Sequence, residues 1–251
     1  MAASLRLAAA NVDFVLLDIE GTTTPITFVH DVLFPYARVR VRAYLEEAGS
    51  DAAVRQIVED LRAELPASGF QLPAANQKLA AGSGKLEADV VSYVYWLMDR
   101  DRKSGPLKAL QGRIWEQGYA TGALTGEVYP DVPDAFARWT AAGVRIGIYS
   151  SGSVLAQKLL FANSTAGDLS RFLSGYFDTA VGAKKEAVSY RRIVEALDRP
   201  ASRVLFVSDV AAELDAAREA GLQTVLAVRP PARPPASSAH GAVESFEEIE
   251  I

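Results

Sequence analysis

Short apolar runs that alternate with helical patterns after Pro130 are the feature that most constrains the fold of this chain. Val144–Tyr149, Val204–Val207 and Thr224–Val228 are each typical of a strand. Helical patterns flank them and are predicted at residues 134–142, 154–161, 186–197 and 211–220. This alternation predicts a parallel sheet with helices on both of its faces. An earlier β-rich run that ends in an acid, Val12–Asp18, predicts the first buried strand.

The hundred residues after that first strand have a different pattern. Phe28–Tyr119 is helical in periodicity, with its clearest helix at Asp51–Leu65 and a loop at Ala80–Lys85. We expect breaks in the pattern at the prolines in positions 35, 66, 73 and 106. The predicted fold is therefore a doubly wound, mostly parallel, Rossmann-like α/β core with an all-helical cap inserted after the first strand. The predicted limits are 1–25 and 127–251 for the core and 26–126 for the cap.

Acidic residues follow the carboxyl ends of two predicted strands. Asp18 and Glu20 come after the first strand, and Asp209 follows Ser208 after the strand at 204–207. Ligands of open parallel sheets bind outside this edge, so we expect the three acids to lie near one another. Their oxygens are suited to Mg²⁺, which takes one or two carboxylates together with water and substrate oxygens.

Phosphate-binding groups are predicted at the same edge. Ser150 and Ser151 lie between a predicted strand and the start of a helix, where unpaired backbone N–H groups favour anions. Lys184, ahead of the helix at 186–197, adds a full positive charge. A carboxylate can serve as the covalent nucleophile of phosphoryl transfer when cations offset the repulsion between two anions.

The composition excludes several other chemistries. The 251 residues include no Cys, so a disulfide framework, a cysteine zinc site and a cysteine nucleophile are ruled out. The two histidines, His30 and His240, lie outside the polar clusters, so catalysis is expected from carboxylates, lysine, hydroxyls or an oxygen-bound metal. The net charge of −5 argues against nucleic acid or an anionic membrane as a partner.

The remaining sequence signals concern location and assembly. No apolar run approaches the roughly 18–20 residues that span a bilayer, and Met1–Ala10 lacks a clear secretory pattern. We therefore expect a cytoplasmic protein, and a nuclear one as well if the source is eukaryotic. No long apolar stripe is left over after the core and cap are assigned, which favours a monomer. The segment Arg229–Ser238, with four prolines, is predicted to be a surface connection.

The residues of the predicted site carry a resemblance to a known family. Asp18–Thr22, Ser150, Lys184 and Ser208–Asp209 are similar to the motifs of the haloacid dehalogenase superfamily of phosphatases. The stretches at 18–26 (DIEGTTTPI), 33–36 (LFPY), 107–115 (LKALQGRIW), 149–161 (YSSGSVLAQKLLF) and 205–210 more closely resemble the enolase-phosphatases of methionine salvage. Glu20 agrees with that subfamily, since the general motif has Asp there.

The resemblance implies a role for each of the three acids. Asp18 is implied to be the nucleophile and an Mg²⁺ ligand. Glu20 is implied to be the general acid and base, and to join the metal site through its main-chain carbonyl. Asp209 is implied to complete the shell of one Mg²⁺ per subunit.

The resemblance also implies the substrate and the residues that bind it. Ser150 and Ser151 are implied to bind the phosphate or the rest of the substrate, and Lys184 to neutralise the nucleophile and the phosphate. The implied substrate is 2,3-diketo-5-methylthiopentyl-1-phosphate, which members of this family enolise and then dephosphorylate to the acireductone in a site closed by the cap.

Several points stay open on the sequence alone. The enolisation base is either Glu20 or a residue of the cap. Glu213 is either a further acid of the metal site or a charge that stabilises the start of a helix. A phosphatase for another small metabolite is the main alternative function, and a catalytically silent ligand-binding relative is another.

Overall fold

The structure is a computed structural model of the 251-residue chain and describes residues 7–8, 11–71, 85–102, 104–233 and 238–251. It contains two compact units, one of residues 1–29 and 125–251 and the other of residues 30–124. We call them the α/β unit and the helical unit. The assignment of residues 26–126 to a functional cap domain stays a prediction. The loop predicted at Ala80–Lys85 lies outside the described residues except for Lys85, where a helix begins.

The α/β unit is built on a parallel sheet. Its strands are β2 Phe14–Leu17, β3 Arg145–Tyr149, β4 Leu173–Phe177, β5 Val204–Ser208, β6 Gln223–Ala227 and β7 Gly241–Val243, and a separate short pair is formed by β1 Leu7–Ala8 and β8 Ile249–Glu250. The six strands of the main sheet lie in the order β4-β3-β2-β5-β6-β7. Every neighbouring pair in it is parallel, so the predicted doubly wound α/β core is confirmed.

Eight α-helices are described in full or in part. They are α1 Phe34–Ala48, α2 Ala52–Ser68, α3 Lys85–Asp99, α4 Gly105–Ala120, α5 Val132–Ala141, α6 Val154–Ala162, α7 Ala187–Leu197 and α8 Ala211–Glu219. The first four belong to the helical unit and the last four to the α/β unit. Within the described residues, none of the helices has both the length and the apolar character needed to cross a membrane.

The register of the central strands determines which side chains meet at the carboxyl edge of the sheet. Leu17 of β2 is level with Ile148 of β3 and with Val207 of β5. Asp18, the first residue after β2, and Ser208, the last residue of β5, therefore emerge side by side. All four residues of β2 are fully buried, because helices cover both faces of a central parallel strand.

The prolines of the helical unit are placed differently from the prediction at one position. Pro106 occupies the first turn of α4, where a helix does not need the missing N–H group. Pro35 lies just after a π-helical segment, Phe28–Leu33, that passes directly into α1. The predicted break at Pro66 is wrong, since α2 continues to Ser68 and ends at Gly69 with a φ of 76°. Pro66 lies in the last turn, so it interrupts few hydrogen bonds. Pro73 lies outside the described residues.

Two strands of the main sheet are absent from the prediction, as is the separate pair β1 and β8, and both of the main-sheet strands lie at an edge. β4 contains Ser174 and Gly175, and β7 is only three residues long. An edge strand is covered less completely than a central one, so it does not need the continuous apolar sequence that reveals β2. The prediction of a surface connection after residue 228 is also wrong at its first residue, because Arg229 is buried.

Candidate active site

Asp18 belongs to a buried ion-pair cluster at the carboxyl edge of the sheet. Its Oδ1 accepts a hydrogen bond from the Ile19 N–H at 2.7 Å and lies 2.6 Å from Lys184 Nζ. The same Nζ lies 2.7 Å from Oε2 of Glu213, one of the first residues of α8. The ammonium group thus bridges two carboxylates, and all three side chains are at most 10% exposed.

Burial and charge oppose each other in this cluster. Burial by itself would lower the pKa of Lys184, but the charges of Asp18 and Glu213 outweigh it and raise the pKa above its usual value. Burial raises the pKa of Glu213, and the neighbouring charge of Asp18 raises it further. Lys184 therefore stays a cation beside Asp18, as a group that neutralises a bound phosphate must be.

Ser208 connects the two carboxylates through its hydroxyl. Its Oγ lies 3.3 Å from Asp18 Oδ2 and 3.1 Å from Glu213 Oε2, and it accepts the N–H of Val210 at 3.1 Å. A hydroxyl carries one proton, so Ser208 donates to one carboxylate at a time.

The turn after β2 holds the backbone of Asp18 in place. The carbonyl of Ile19 accepts the N–H groups of Thr22, Thr23 and Thr24, which closes a tight turn around Glu20. The hydroxyl of Thr23 donates to the Asp18 carbonyl at 3.1 Å. These three threonines are fully buried, whereas Glu20 is half-buried and reaches solvent.

Asp209 is joined to the same turn. Its backbone N–H donates to Thr22 Oγ1 at 3.0 Å, and its carboxylate lies against the backbone of Gly21. Loss of solvent around its carboxyl group, and then the charge of Asp18, raise the pKa of Asp209 to about 6. Two carboxylates that repel each other in this way fit a divalent cation, which would remove the repulsion.

The donor set also limits which metal fits. In the described part of the chain, no group of three or more His, Cys, Asp or Glu side chains is placed to hold a metal ion. A cation beside Asp18 and Asp209 would therefore depend on main-chain, substrate or water oxygens as well. Mg²⁺ accepts this mixture of ligands, and the main-chain carbonyl of Glu20 is the ligand that the resemblance predicts.

The loop that is predicted to bind phosphate follows β3. Ser150 is buried, and its Oγ accepts the N–H of Gly152 at 3.1 Å. Ser153 is the N-cap residue of α6, and its Oγ accepts the N–H of Ala156 at 3.3 Å. Ser151 is half-buried at the same edge.

Gln157 ties this loop to the neighbouring strand. Its Nε2 donates to the Gly152 carbonyl at 3.0 Å and to the Phe177 carbonyl at 2.8 Å. The Gln157 side chain is almost completely buried. Its two hydrogen bonds attach the loop that carries Ser150 to α6 and β4.

The structure therefore brings Asp18, Lys184 and Asp209 together, with Glu20 in the turn that follows Asp18 and the two serines in the loop after the adjacent strand β3. Their assigned roles stay predictions. Glu213, whose role the sequence leaves open, contacts Lys184. Its spacing of one helical turn after Asp209 could have suggested that it lies near the site. Lys185, the neighbour of Lys184, is exposed.

Comparison with known proteins gives a consistent family. A family model described as haloacid dehalogenase-like hydrolase matches residues 12–221. The protein named Enolase-phosphatase E1 in Synechococcus elongatus is 54% identical over 215 residues, which are 86% of this chain and 88% of that protein. The protein of the same name in Drosophila melanogaster is 47% identical over 234 residues, or 92% and 87% of the two chains.

Solved structures agree with this result. The crystal structure of the UTR4 protein from Saccharomyces cerevisiae covers 94% of this chain and 99% of its own, with a TM-score of 0.77 and 34% identity. A dehalogenase structure at 19% identity, with a TM-score of 0.52, covers 95% of this chain and shares the fold alone. The resemblance seen in the sequence is confirmed, and the chain belongs to the enolase-phosphatase E1 family of haloacid dehalogenase-like hydrolases.

Proposed function

We propose that this protein is the enolase-phosphatase of methionine salvage, a hydrolase of phosphoric monoesters. It enolises 2,3-diketo-5-methylthiopentyl-1-phosphate and then removes the phosphate to give the acireductone. The observation that carries the phosphatase half is the buried ion pair of Asp18 with Lys184, whose Nζ lies 2.6 Å from Asp18 Oδ1. Such a pair supplies a carboxylate nucleophile and the positive charge that lets a phosphate dianion approach it.

In the first half of the proposed hydrolysis, a carboxylate oxygen of Asp18 attacks the phosphorus atom. An oxygen–phosphorus bond forms to Asp18 as the bond from phosphorus to the substrate oxygen breaks. Glu20 gives its proton to that leaving oxygen. Lys184, which pairs with Asp18 before the reaction, neutralises the charge that gathers on the phosphoryl oxygens.

In the second half, Glu20 takes a proton from a water molecule, and the water oxygen attacks the phosphorus of the aspartyl-phosphate. The bond between phosphorus and Asp18 breaks, which releases inorganic phosphate and restores the carboxylate. Glu20 is half-buried and reaches solvent, which suits a group that exchanges protons with water. Ser150 and Ser151 are proposed to bind the phosphoryl oxygens.

Mg²⁺ is proposed to be held by Asp18, Asp209 and the Glu20 carbonyl, one ion per subunit. When bound it would neutralise phosphate charge and polarise the oxygens that react. Enolisation needs a base that removes a proton next to a carbonyl group, and either Glu20 or a residue of the helical unit is proposed for it. The small phosphorylated substrate, a cytoplasmic location and a monomeric state complete the proposal, and size-exclusion chromatography tests the last.

The test is phosphate release from the diketo-phosphate, with Mg²⁺ and with EDTA. We expect release to require Mg²⁺ and to fall by at least about a thousandfold in Asp18→Asn, because no other group supplies the nucleophile. Asp168→Asn is the matched control, since Asp168 lies in an exposed turn where it accepts from Ser170. Full turnover in Asp18→Asn would disprove the nucleophile assignment.

The enolase half is tested by absorbance at the wavelength of the enediol intermediate. We expect a transient intermediate before phosphate release with the wild-type protein. Release of phosphate from many sugar phosphates, with no such intermediate, would indicate a phosphatase for another small metabolite instead.

A further inference from the structure

We propose that three buried hydroxyls, those of Tyr149, Ser189 and Tyr190, position the Lys184 ammonium by holding the backbone of residues 182–184. We call these three residues the hydroxyl clamp. The inference rests on the proposed function, in which Lys184 neutralises the nucleophile and the phosphate. The clamp residues do not touch the reacting atoms, so they are positioning residues that act through Lys184.

The clamp binds three consecutive carbonyl groups. Each hydroxyl donates to a different one, so the backbone of residues 182–184 is fixed residue by residue. The bonds run from Tyr149 to the Gly182 carbonyl at 3.0 Å, from Ser189 to the Ala183 carbonyl at 2.7 Å and from Tyr190 to the Lys184 carbonyl at 2.7 Å.

The donors themselves are rigid. Tyr149, Ser189 and Tyr190 are fully buried, and the two tyrosine rings pack edge to face with their centroids 5.5 Å apart. The ring of Tyr190 also packs against Phe206 of β5 at 5.1 Å. Burial raises the pKa of both tyrosines, so each phenol stays protonated and able to donate. The clamp therefore fixes residues 182–184 relative to β3, β5 and α7.

The segment needs this support because it has no regular structure of its own. It connects β4 to α7 and includes neither a strand nor a helix at residues 182–184. Gly182 has a φ of 138°, and a Cβ there would overlap Ser189 Oγ, so glycine is what allows the serine to approach. Buried carbonyls without partners would be costly, so the hydroxyls favour this one backbone path.

The position of Lys184 leaves little tolerance. Its Nζ lies 2.6 Å from Asp18 and 2.7 Å from Glu213, at the end of a side chain with four rotatable bonds. A backbone shift of about 1 Å in an active site can cost about a hundredfold in rate. The hydroxyl clamp prevents such a shift, because it holds the backbone from which the Lys184 side chain extends.

The first test compares kcat and KM for phosphate release by single variants that each remove one hydroxyl. We expect Tyr190→Phe and Ser189→Ala each to lower kcat about tenfold with KM changed by less than about threefold. Arg192→Ala is the matched control. Its Nη1 donates to the carbonyl of Val181 at 2.9 Å, one residue before the clamped segment, but Arg192 is exposed. We expect the control to stay within twofold of wild type.

The second test separates positioning from a general structural role. The dissociation constant of inorganic phosphate for the Mg²⁺-loaded protein is measured by ³¹P NMR, for Tyr190→Phe in the wild-type and in the Lys184→Met background. We expect about fivefold weaker binding in the first background and less than about 1.5-fold in the second, because the clamp acts through Lys184. Thermal unfolding of each variant shows that it is folded.

Two outcomes would overturn the inference while leaving the proposed function intact. One is equal weakening of phosphate binding with and without Lys184. The other is a wild-type kcat in both hydroxyl variants when the unchanged protein is an active phosphatase. If the unchanged protein releases no phosphate from any ester, the proposed function fails instead.

Discussion

Gly21 is held between the turn that follows β2 and the carboxylate of Asp209. Its φ of 69° lies in the left-handed region, and a Cβ would overlap Oδ2 and Cγ of Asp209. The backbone N–H of Gly21 donates to the Thr24 carbonyl at 2.9 Å, so the glycine cannot move away without opening the turn. The lack of a side chain at Gly21 thus allows Asp209, one of the proposed metal ligands, to lie where it does.

We predict that Gly21→Ala strongly lowers Mg²⁺-dependent phosphate release and only modestly lowers the free energy of unfolding. Alanine in the left-handed region costs about 1–2 kcal/mol of unfolding free energy, and the displaced Asp209 should weaken the activation by Mg²⁺ at least about tenfold. Gly143→Ala is the matched control, because Gly143 has a φ of 81° with open space around its Cα. Mg²⁺ titration of phosphate release together with urea denaturation measures both effects. Equal activity loss in the two variants would contradict the prediction.

At the scale of elements, Arg229 joins three separate parts of the α/β unit. Its Nε donates to the Thr22 carbonyl at 2.9 Å, and its Nη1 lies 2.7 Å from Asp131 Oδ2 at the start of α5. The guanidinium lies between the rings of Tyr129 and Phe246, at 4.5 and 4.3 Å from their centroids. The turn beside Asp18 is therefore anchored to α5 and to the C-terminal segment.

This anchor explains an unusual helix start. Asp131 is the N-cap residue of α5 but makes no side-chain bond to the helix. Its Oδ2 instead accepts from Arg229, from the Ser245 hydroxyl at 3.1 Å and from the Phe246 N–H at 2.6 Å. An aspartate at a helix start ordinarily accepts N–H groups of the first turn of the helix, whereas Asp131 accepts from Arg229 and the C-terminal segment.

We predict that Arg229→Leu lowers the free energy of unfolding by about 3–5 kcal/mol, because it leaves Asp131 buried without its cation. Arg191→Leu is the control, since Arg191 and Glu219 form an ion pair whose side chains are 55% and 70% exposed. An exposed pair contributes at most about 1 kcal/mol. Chemical denaturation of both variants measures the difference, and a similar small loss in each would rule out the anchor as a stabilising element.

The elements themselves were largely predictable, and their contacts were not. β2, β3, β5 and β6 follow from apolar runs, because central strands are buried on both faces. The partners of Lys184 and Arg229 come from distant parts of the chain, and no local pattern pairs Arg229 with Thr22. Periodicity reports which face of an element is buried, but not which polar group it meets there.

At the scale of the whole molecule, the sign of the charge opposes the proposed substrate. The chain carries 26 basic and 31 acidic side chains, a net charge of −5, whereas the substrate is a phosphate anion. Attraction must therefore come from within the site, from Lys184 and from the proposed Mg²⁺. Such contacts act over a few ångströms, and surface charges act over a distance that salt shortens to about 10 Å at 0.1 M.

We predict that kcat/KM for the phosphate ester does not fall as ionic strength rises from about 20 mM to about 150 mM, and changes by less than about twofold. Salt screens the repulsion from the acidic surface and leaves the direct contacts of the buried Lys184 nearly unchanged. Stopped-flow phosphate release at constant free Mg²⁺ measures this, with sodium chloride and tetramethylammonium chloride compared to exclude sodium binding. A steep fall, about tenfold or more, would instead mean that a basic surface guides the substrate to the site, contrary to the net charge of the chain.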